Sequence, residues 1–167
     1  MATLARFRVA LGFVFGIAVF WLAEPTFSTI AIGAVIAAIG ETIRIWAAGH
    51  LQKSREVTTS GPYRWVAHPL YVGSSVMGAG LAIACGSLLV AALIAIYLSV
   101  ALTVAARSEA AFLRRTFGDR YDRYERGAVD VMRRFSLTQA MANHEHRALM
   151  GLVVAVLLLA LKAARIV

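Results

Sequence analysis

The chain has 167 residues, of which 60% are hydrophobic and 16% charged, and its mean hydropathy of +0.72 is too apolar for a soluble domain of this length. The formal net charge of +8 would suit a nucleic-acid-binding protein. The basic residues, however, cluster next to apolar runs instead of covering one polar face, which excludes that class and indicates a membrane protein. No length remains for a separate catalytic domain, so any site must be built from helix ends and polar segments.

Two apolar runs open the chain, at residues 7–23 and 27–48, and each is long enough to predict a membrane-spanning helix. The first lacks a cleavage signal before Glu24 and Pro25, so we interpret it as a retained helix and not as a signal peptide. In the second, Glu41 and Arg44 are three residues apart, a spacing that predicts an ion pair on one helix face.

A polar segment at residues 49–68 separates these runs from a predicted hairpin of two further helices. Pro69 is well placed in the first turn of a third helix over residues 69–84. A short turn at residues 85–87 leads to a fourth helix, which we expect to end near Ala106. Cys85 is the single cysteine, so no intramolecular disulfide is possible, and we expect it to pack as a small apolar residue.

The last third of the chain predicts an amphipathic helix over residues 107–126, either continuing from the fourth helix along the cytoplasmic face or folding over a ligand. A final apolar run at residues 148–164 predicts one more crossing. The expected fold class is therefore all-α, an integral membrane bundle of about five transmembrane helices with a cytoplasmic amphipathic helix. We expect one membrane domain over residues 1–167, with a core at about 41–130 and an extra C-terminal helix.

The basic residues also predict the orientation in the membrane. Arg6 and Arg8 precede the first run, and arginines at residues 44–64 and 107–147 follow the second and fourth. This positive-inside pattern places the N-terminus in the cytoplasm. Lys162 and Arg165 fall on the opposite side, where long side chains can extend to the interface.

The stretch from Thr58 to Gly73 is the most informative for chemistry. It combines glycines, aromatic side chains and a histidine, His68, at the point where a loop becomes a helix. A helix N-terminus favours a bound carboxylate, and the hairpin would bring Glu109 close to it. An anion site on one wall and a carboxylate on the other would suit a zwitterionic amino acid.

These residues resemble the isoprenylcysteine carboxyl methyltransferases and their phospholipid methyltransferase relatives, over residues 49–124. Each matching piece alone is a weak signal, but their order across a helical hairpin is specific. The pieces are Gly49-His50 with Lys53, Thr59-Ser60-Gly61-Pro62-Tyr63, His68-Pro69-Leu70-Tyr71-Val72-Gly73, Glu109 with Leu113, and Phe117-Gly118 with Tyr121 and Tyr124.

The resemblance implies a methyltransferase that uses S-adenosylmethionine as cosubstrate at the cytoplasmic face. The catalytic candidates are His68, Glu109 and Arg107. The implied cosubstrate-binding residues, of which Gln52 is matched across a shorter loop, are Gln52, Arg55, Glu56, Val57, Thr58, Tyr63, His68, Pro69, Leu70, Tyr71, Gly73 and Glu109.

Three positions depart from the family's pattern and bear on the methyl acceptor. Ala67 stands where the family usually has arginine, and Ala110 where it has a second glutamate. Ala105 replaces an arginine thought to face the substrate, and Arg107 is a candidate substitute.

Several functions stay open at this point. We favour O-methylation of a carboxylate on a lipidic or small hydrophobic acceptor, with a phospholipid amine or a small thiol as alternatives. A catalytically silent membrane protein that keeps the pocket is a hypothesis of another class, and a membrane reductase is a more distant one.

Simpler structural roles are also available to these residues. His68 alone could be an interfacial helix cap, and Glu109 could neutralise a neighbouring arginine. His144 and His146 are two residues apart with no cysteine nearby, and we predict no metal site there.

Overall fold

The computed structural model describes residues 2–53, 55–128 and 132–166, with side chains from residue 12 to residue 165. The described residues form seven α-helices and one short 3₁₀ turn at Gly61–Arg64, and the predicted all-α class is confirmed. The helices are α1 (Ala2–Leu22), α2 (Phe27–Ala48), α3 (Pro69–Ala84), α4 (Leu88–Phe117), α5 (Asp119–Glu125), α6 (Leu137–Ala142) and α7 (Glu145–Ile166).

Three of these helices are long and apolar enough to cross a bilayer, namely Phe27–Ala48, Leu88–Phe117 and Glu145–Arg165. Two shorter apolar stretches, Gly12–Leu22 and Pro69–Ala84, accompany them. Large apolar side chains lie on the outer faces of the bundle, such as Trp21, which is 80% exposed. Such a surface is suited to lipid, and the chain is therefore membrane-associated. The total of five crossings and their orientation in the membrane stay predictions. The side chains of Arg6 and Arg8, on which the predicted orientation of the N-terminus depends, lie outside the described side chains.

Helices α2 and α3 make the closest helix pair of the bundle, through small residues on both sides. A Cβ atom added at Gly40 would lie 2.3 Å from the backbone nitrogen of Met77, and one added at Gly80 would lie 2.4 Å from that of Ala37. Only glycine allows two backbones to approach this closely, which is a common way to pack helices in membranes. This contact fixes the end of α2 relative to the start of α3.

The two ends of the bundle are chemically different. At one end, the turns after α1 and α3 meet, where the backbone N–H of Glu24 donates to the carbonyl of Cys85 at 2.8 Å. Lys162 of α7 donates to the carbonyls of Phe20 and Trp21 at 2.7 and 2.8 Å, so its charged end reaches the C-terminus of α1. The opposite end therefore gathers the long polar loop, the start of α3, the end of α4 and helices α5 and α6.

The structure differs from the sequence expectation at the end of α4, at α6 and at the start of α7. Helix α4 does not end near Ala106 but continues to Phe117, so the first part of the amphipathic segment continues from the fourth helix, which was one of the two expected arrangements. This part is polar yet rich in good helix formers. The break comes at Gly118, whose φ of +49° favours glycine. Helix α6 was not predicted, and α7 begins at Glu145 instead of residue 148.

Candidate active site

The start of α3 meets the end of α4 through His68 and Glu109. The Nδ1 atom of His68 lies 3.2 Å from Oε2 of Glu109. Tyr71, one turn into α3, also hydrogen-bonds to the Glu109 carboxylate, and its ring centroid lies 5.4 Å from that of His68. The expected meeting of the loop before α3 with the carboxylate on α4 is therefore present in the structure.

Next to this pair lies a cavity of about 470 Å³. Its walls come from the end of α2, the loop after it, the start of α3, the last turns of α4 and helix α5. Both charged and apolar side chains face it. The lining residues are Arg44, Leu51, Gln52, Lys53, Glu56, Val57, Thr58, Tyr63, Ala67, Leu70, Tyr71, Ser108, Glu109, Phe112, Leu113 and Tyr124.

The loop between α2 and α3 is held in shape by its own buried polar groups. Thr58 is 6% exposed, and its hydroxyl oxygen accepts a hydrogen bond from the backbone N–H of Gln52 at 3.2 Å. The imidazole of His50 is also buried, where a Cβ added at Gly61 would lie 2.6 Å from it. Gly61 has a φ of +59°, so both its conformation and its lack of a side chain are required. His50 thus has a packing role in this loop.

Two tyrosines close the cavity on the side of α5. The hydroxyl of Tyr124 donates to the backbone carbonyl of Tyr63 at 2.9 Å. Burial, followed by the negative charge of Glu109, raises the pKa of Tyr63 above its ordinary value. Burial, with a smaller effect of Tyr121, raises the pKa of Tyr124 to about 12. Both hydroxyls therefore stay protonated near neutral pH and can donate hydrogen bonds.

Arg44 lies at the inner wall of the cavity within a network of buried groups. The predicted ion pair with Glu41 is confirmed, with Nε of Arg44 3.5 Å from Oε2. The structure adds a second and closer pair, since Nη2 of Arg44 donates to both carboxylate oxygens of Glu145 at 3.1 and 2.9 Å. Nη1 donates to the hydroxyl of Ser74. The guanidinium is therefore held in one orientation from three helices.

Most of the site residues predicted from the sequence lie at this cavity. Eight of them line it, and His68 adjoins it through Glu109. The eight are Gln52, Glu56, Val57, Thr58, Tyr63, Leu70, Tyr71 and Glu109.

The other predicted residues do not line the cavity. Pro69 is buried in the first turn of α3. Gly73 packs against α2, where an added Cβ would lie 2.7 Å from Cγ of Arg44. Arg55 and Arg107 are both exposed. The structure thus gives Gly73 a helix-packing role and places Arg107 away from the cavity wall.

Several lining residues were not among the predicted ligands. Phe112 and Leu113 follow Glu109 by one helical turn, so helical periodicity would have placed them on the same face. The sequence predicts for Arg44 an ion pair with Glu41 and a part in the orientation signal, but no place at a ligand cavity. Nothing local in the sequence indicates that Arg44 faces the cavity, because that depends on the packing of α2 against α3 and α7.

The described residues do not gather three His, Cys, Asp or Glu side chains in a group that could hold a metal ion. His144 and His146 lie near each other, with ring centroids 6.0 Å apart. Glu145, between them in sequence, is instead paired with Arg44.

Comparison with known proteins points to one family. The profile of the phospholipid methyltransferase family matches residues 7–120, which is more than half of the chain. The nickel-cobalt-cadmium resistance protein NccN of Alcaligenes xylosoxydans xylosoxydans is 30% identical over 126 residues, which are 74% of this chain and 57% of NccN. The chain thus spans little more than half the length of that relative. No solved structure matches it. The matched region contains His68, Glu109 and most of the cavity wall, and the chain belongs to the phospholipid methyltransferase family of membrane methyltransferases.

Proposed function

We propose that this protein transfers the methyl group of S-adenosylmethionine to a lipidic or small hydrophobic acceptor, with O-methylation of a carboxylate as the favoured reaction. The observation that carries the proposal is the contact between His68 and Glu109 at the edge of a cavity formed by helix ends. It joins the two sequence segments that the family resemblance implies for cosubstrate binding. Membership of a methyltransferase family supports the reaction type.

The cavity suits this cosubstrate in size and in chemistry. Its volume of about 470 Å³ lies within the roughly 300–1,000 Å³ typical of small-molecule sites. Glu109 offers a carboxylate for an ammonium group. Lys53 and the N-terminus of α3 favour a carboxylate, while Leu70 and Phe112 offer apolar surface for a nucleoside.

When bound, S-adenosylmethionine supplies an electrophilic methyl group on a sulfonium whose positive charge is partly neutralised during transfer. The residues of this chain orient the reactants and exclude water, which favours such a step. Phe112 and Leu113 line one side of the cavity, and Tyr124 lines it from α5. A carboxylate acceptor requires no general base, whereas an amine would lose a proton to Glu109 or His68.

Binding of the demethylated product, S-adenosylhomocysteine, to the detergent-purified protein tests the site. We expect His68→Ala and Glu109→Gln each to weaken binding about tenfold, the effect of losing one hydrogen bond to a charged group. Matched controls are His146→Ala and Glu24→Gln, which change the same residue types away from the cavity. Unchanged affinity in both site variants would falsify the assigned site.

A second candidate is N-methylation of a phospholipid amine, which membership of the phospholipid methyltransferase family favours. The two reactions are separated by incubating the protein with methyl-labelled cosubstrate and membrane lipid extract. A methyl ester releases its label as methanol in mild base, whereas an N-methyl group keeps it. With a small thiol added to the assay, a base-stable labelled methyl thioether would instead indicate S-methylation. Binding without any labelled product would support the catalytically silent alternative.

The name of the 30%-identical relative, NccN, refers to nickel, cobalt and cadmium resistance, and a cellular test can ask whether methyl transfer by this chain serves such a role. If methyl transfer by this chain contributes to such resistance, cells that produce it will tolerate these metals better than cells that produce the His68→Ala variant. Equal metal tolerance in the two cell lines would show that methyl transfer by this chain does not contribute to metal resistance.

A further inference from the structure

We infer that the segment Arg133–Glu145, here called the C-terminal clamp, positions the cavity wall and thereby sets the affinity for the methyl donor. The inference rests on the proposed function. The clamp follows the region matched by the family profile, residues 7–120, and none of its residues lines the cavity. It contacts the wall at three places, each through hydrogen bonds to a lining residue or to the backbone beside one.

The first contact joins Arg133 to Glu56. The guanidinium donates from Nε to Oε1 at 2.6 Å and from Nη2 to Oε2 at 3.0 Å. Such a two-point pair fixes direction as well as distance. Glu56 lines the cavity, and its side chain is 18% exposed whereas that of Arg133 is 46% exposed. Arg133 therefore holds Glu56 from the outer side of the loop.

The second contact satisfies carbonyl groups at the end of α2 and in the loop that follows. The side-chain amide of Asn143 donates to the carbonyls of Ala48 and Leu51 at 2.8 and 2.9 Å. Gln139 donates to the same Leu51 carbonyl at 3.0 Å. Helix C-termini leave carbonyls without helical partners, so the clamp caps α2 and fixes the backbone at Leu51, a lining residue.

Within this second contact, the clamp also approaches the backbone closely at Gly49, directly after α2. The backbone N–H of Ser136 donates to the Gly49 carbonyl at 3.1 Å. A Cβ at Gly49 would lie 2.3 Å from the ring of Phe135, which in turn packs against His50 with ring centroids 6.0 Å apart. The loop and the clamp therefore share a tightly packed contact, and movement of one displaces the other.

The third contact is the buried pair between Glu145 and Arg44. Glu145 is 7% exposed and takes both hydrogen bonds from Nη2 of Arg44. Removing one partner of a buried pair leaves the other charge uncompensated. Without Glu145, the guanidinium would turn toward the cavity or toward Glu41. Glu145 is thus a positioning residue that acts on the cavity through Arg44.

Three variants test the clamp at its three contacts: Arg133→Gln, Asn143→Ala and Glu145→Gln. The control is Arg147→Gln, which substitutes an exposed residue just after the clamp. In the detergent-purified protein, the measurements are the dissociation constant for S-adenosylhomocysteine and the backbone amide exchange of residues 49–53 and 55–58. We expect each clamp variant to weaken binding about tenfold and to speed exchange in these residues, with no change in α4. Glu145→Asp and Arg133→Lys should restore part of the affinity.

Unchanged affinity in all three variants overturns the inference, and so does faster exchange without loss of affinity, which would give the clamp a structural role only. If Glu145→Gln fails to fold, the more exposed Arg133→Gln decides the question. The failure of the proposed function would look different. In that case the unmodified protein itself would not bind S-adenosylhomocysteine, while the exchange measurement would still report whether the clamp orders the loop.

Discussion

His68 precedes the first residue of α3 and Glu109 lies in the last third of α4, yet the His68 imidazole approaches the Glu109 carboxylate to 3.2 Å. The hairpin turn that joins these helices lies at the other end of the bundle. Two antiparallel helices must therefore keep their register over their full length for the pair to form. The site thus depends on helix packing as much as on the identity of the two residues.

Because the two side chains share one interaction, their substitutions should not add. We predict that the double variant His68→Ala, Glu109→Gln binds S-adenosylhomocysteine no more than about twofold more weakly than the worse single variant, the behaviour of two residues in direct contact. Titration calorimetry on the four proteins measures this coupling. Fully additive losses would show that each residue contacts the ligand independently.

The close packing of α2 on α3 predicts strong sensitivity at Gly40. The Gly40→Ala variant would place its methyl group against the backbone of Met77, and we expect destabilisation of about 1–3 kcal/mol from overpacking. The control is Gly151→Ala, where an added Cβ meets nothing within 4 Å. Thermal unfolding in detergent should show a lower melting temperature for the first variant and no decrease for the second.

Acidification should remove the stabilisation that the Glu56 carboxylate gives to the fold through its pair with Arg133. The hydrogen bond from Arg133, opposed in part by burial, lowers the pKa of Glu56 below its ordinary value of 4.5. A lowered pKa in the folded state means that the pair stabilises the fold above pH 4.5, and that this contribution is lost as the pH falls through the folded-state pKa. The Glu56→Gln variant should therefore have a lower melting temperature than the unmodified protein at pH 7. This difference in melting temperature should shrink as the pH falls below 4.5. A difference independent of pH would contradict this assignment.

The hydrogen bond from Tyr124 to the Tyr63 carbonyl should lose its contribution to stability at high pH, whereas the Glu56 pair loses its contribution at low pH. Tyr124→Phe removes this hydrogen bond, and we expect it to cost about 1 kcal/mol of stability. Burial raises the pKa of Tyr124 from 10 to about 12, so this contribution is constant below pH 10 and is lost as the pH rises through 12. Melting curves from pH 6 to pH 9 should show a constant difference between the two proteins. A difference that disappears within this range would indicate that Tyr124 ionises much earlier.

Local patterns in the sequence were sufficient for the long apolar helices and for eight of the residues that line the cavity. Apolar runs, Pro69 and the turn at residues 85–87 predicted the α3–α4 hairpin, because each signal acts through neighbouring residues. The change in polarity at Arg107 misled the prediction of where α4 ends. Polarity determines which solvent a helix meets, whereas its end is set by backbone conformation, here at Gly118.

The sequence by itself determined that this chain is an apolar helical protein with the motifs of a membrane methyltransferase, because composition and short motifs are local properties. Tertiary structure alone decided that Arg44 faces the cavity and is held by Glu145, and that Asn143 caps the end of α2. These partners are about one hundred residues apart in sequence. No periodicity links them, because their contact depends on how α2, α3 and α7 pack together.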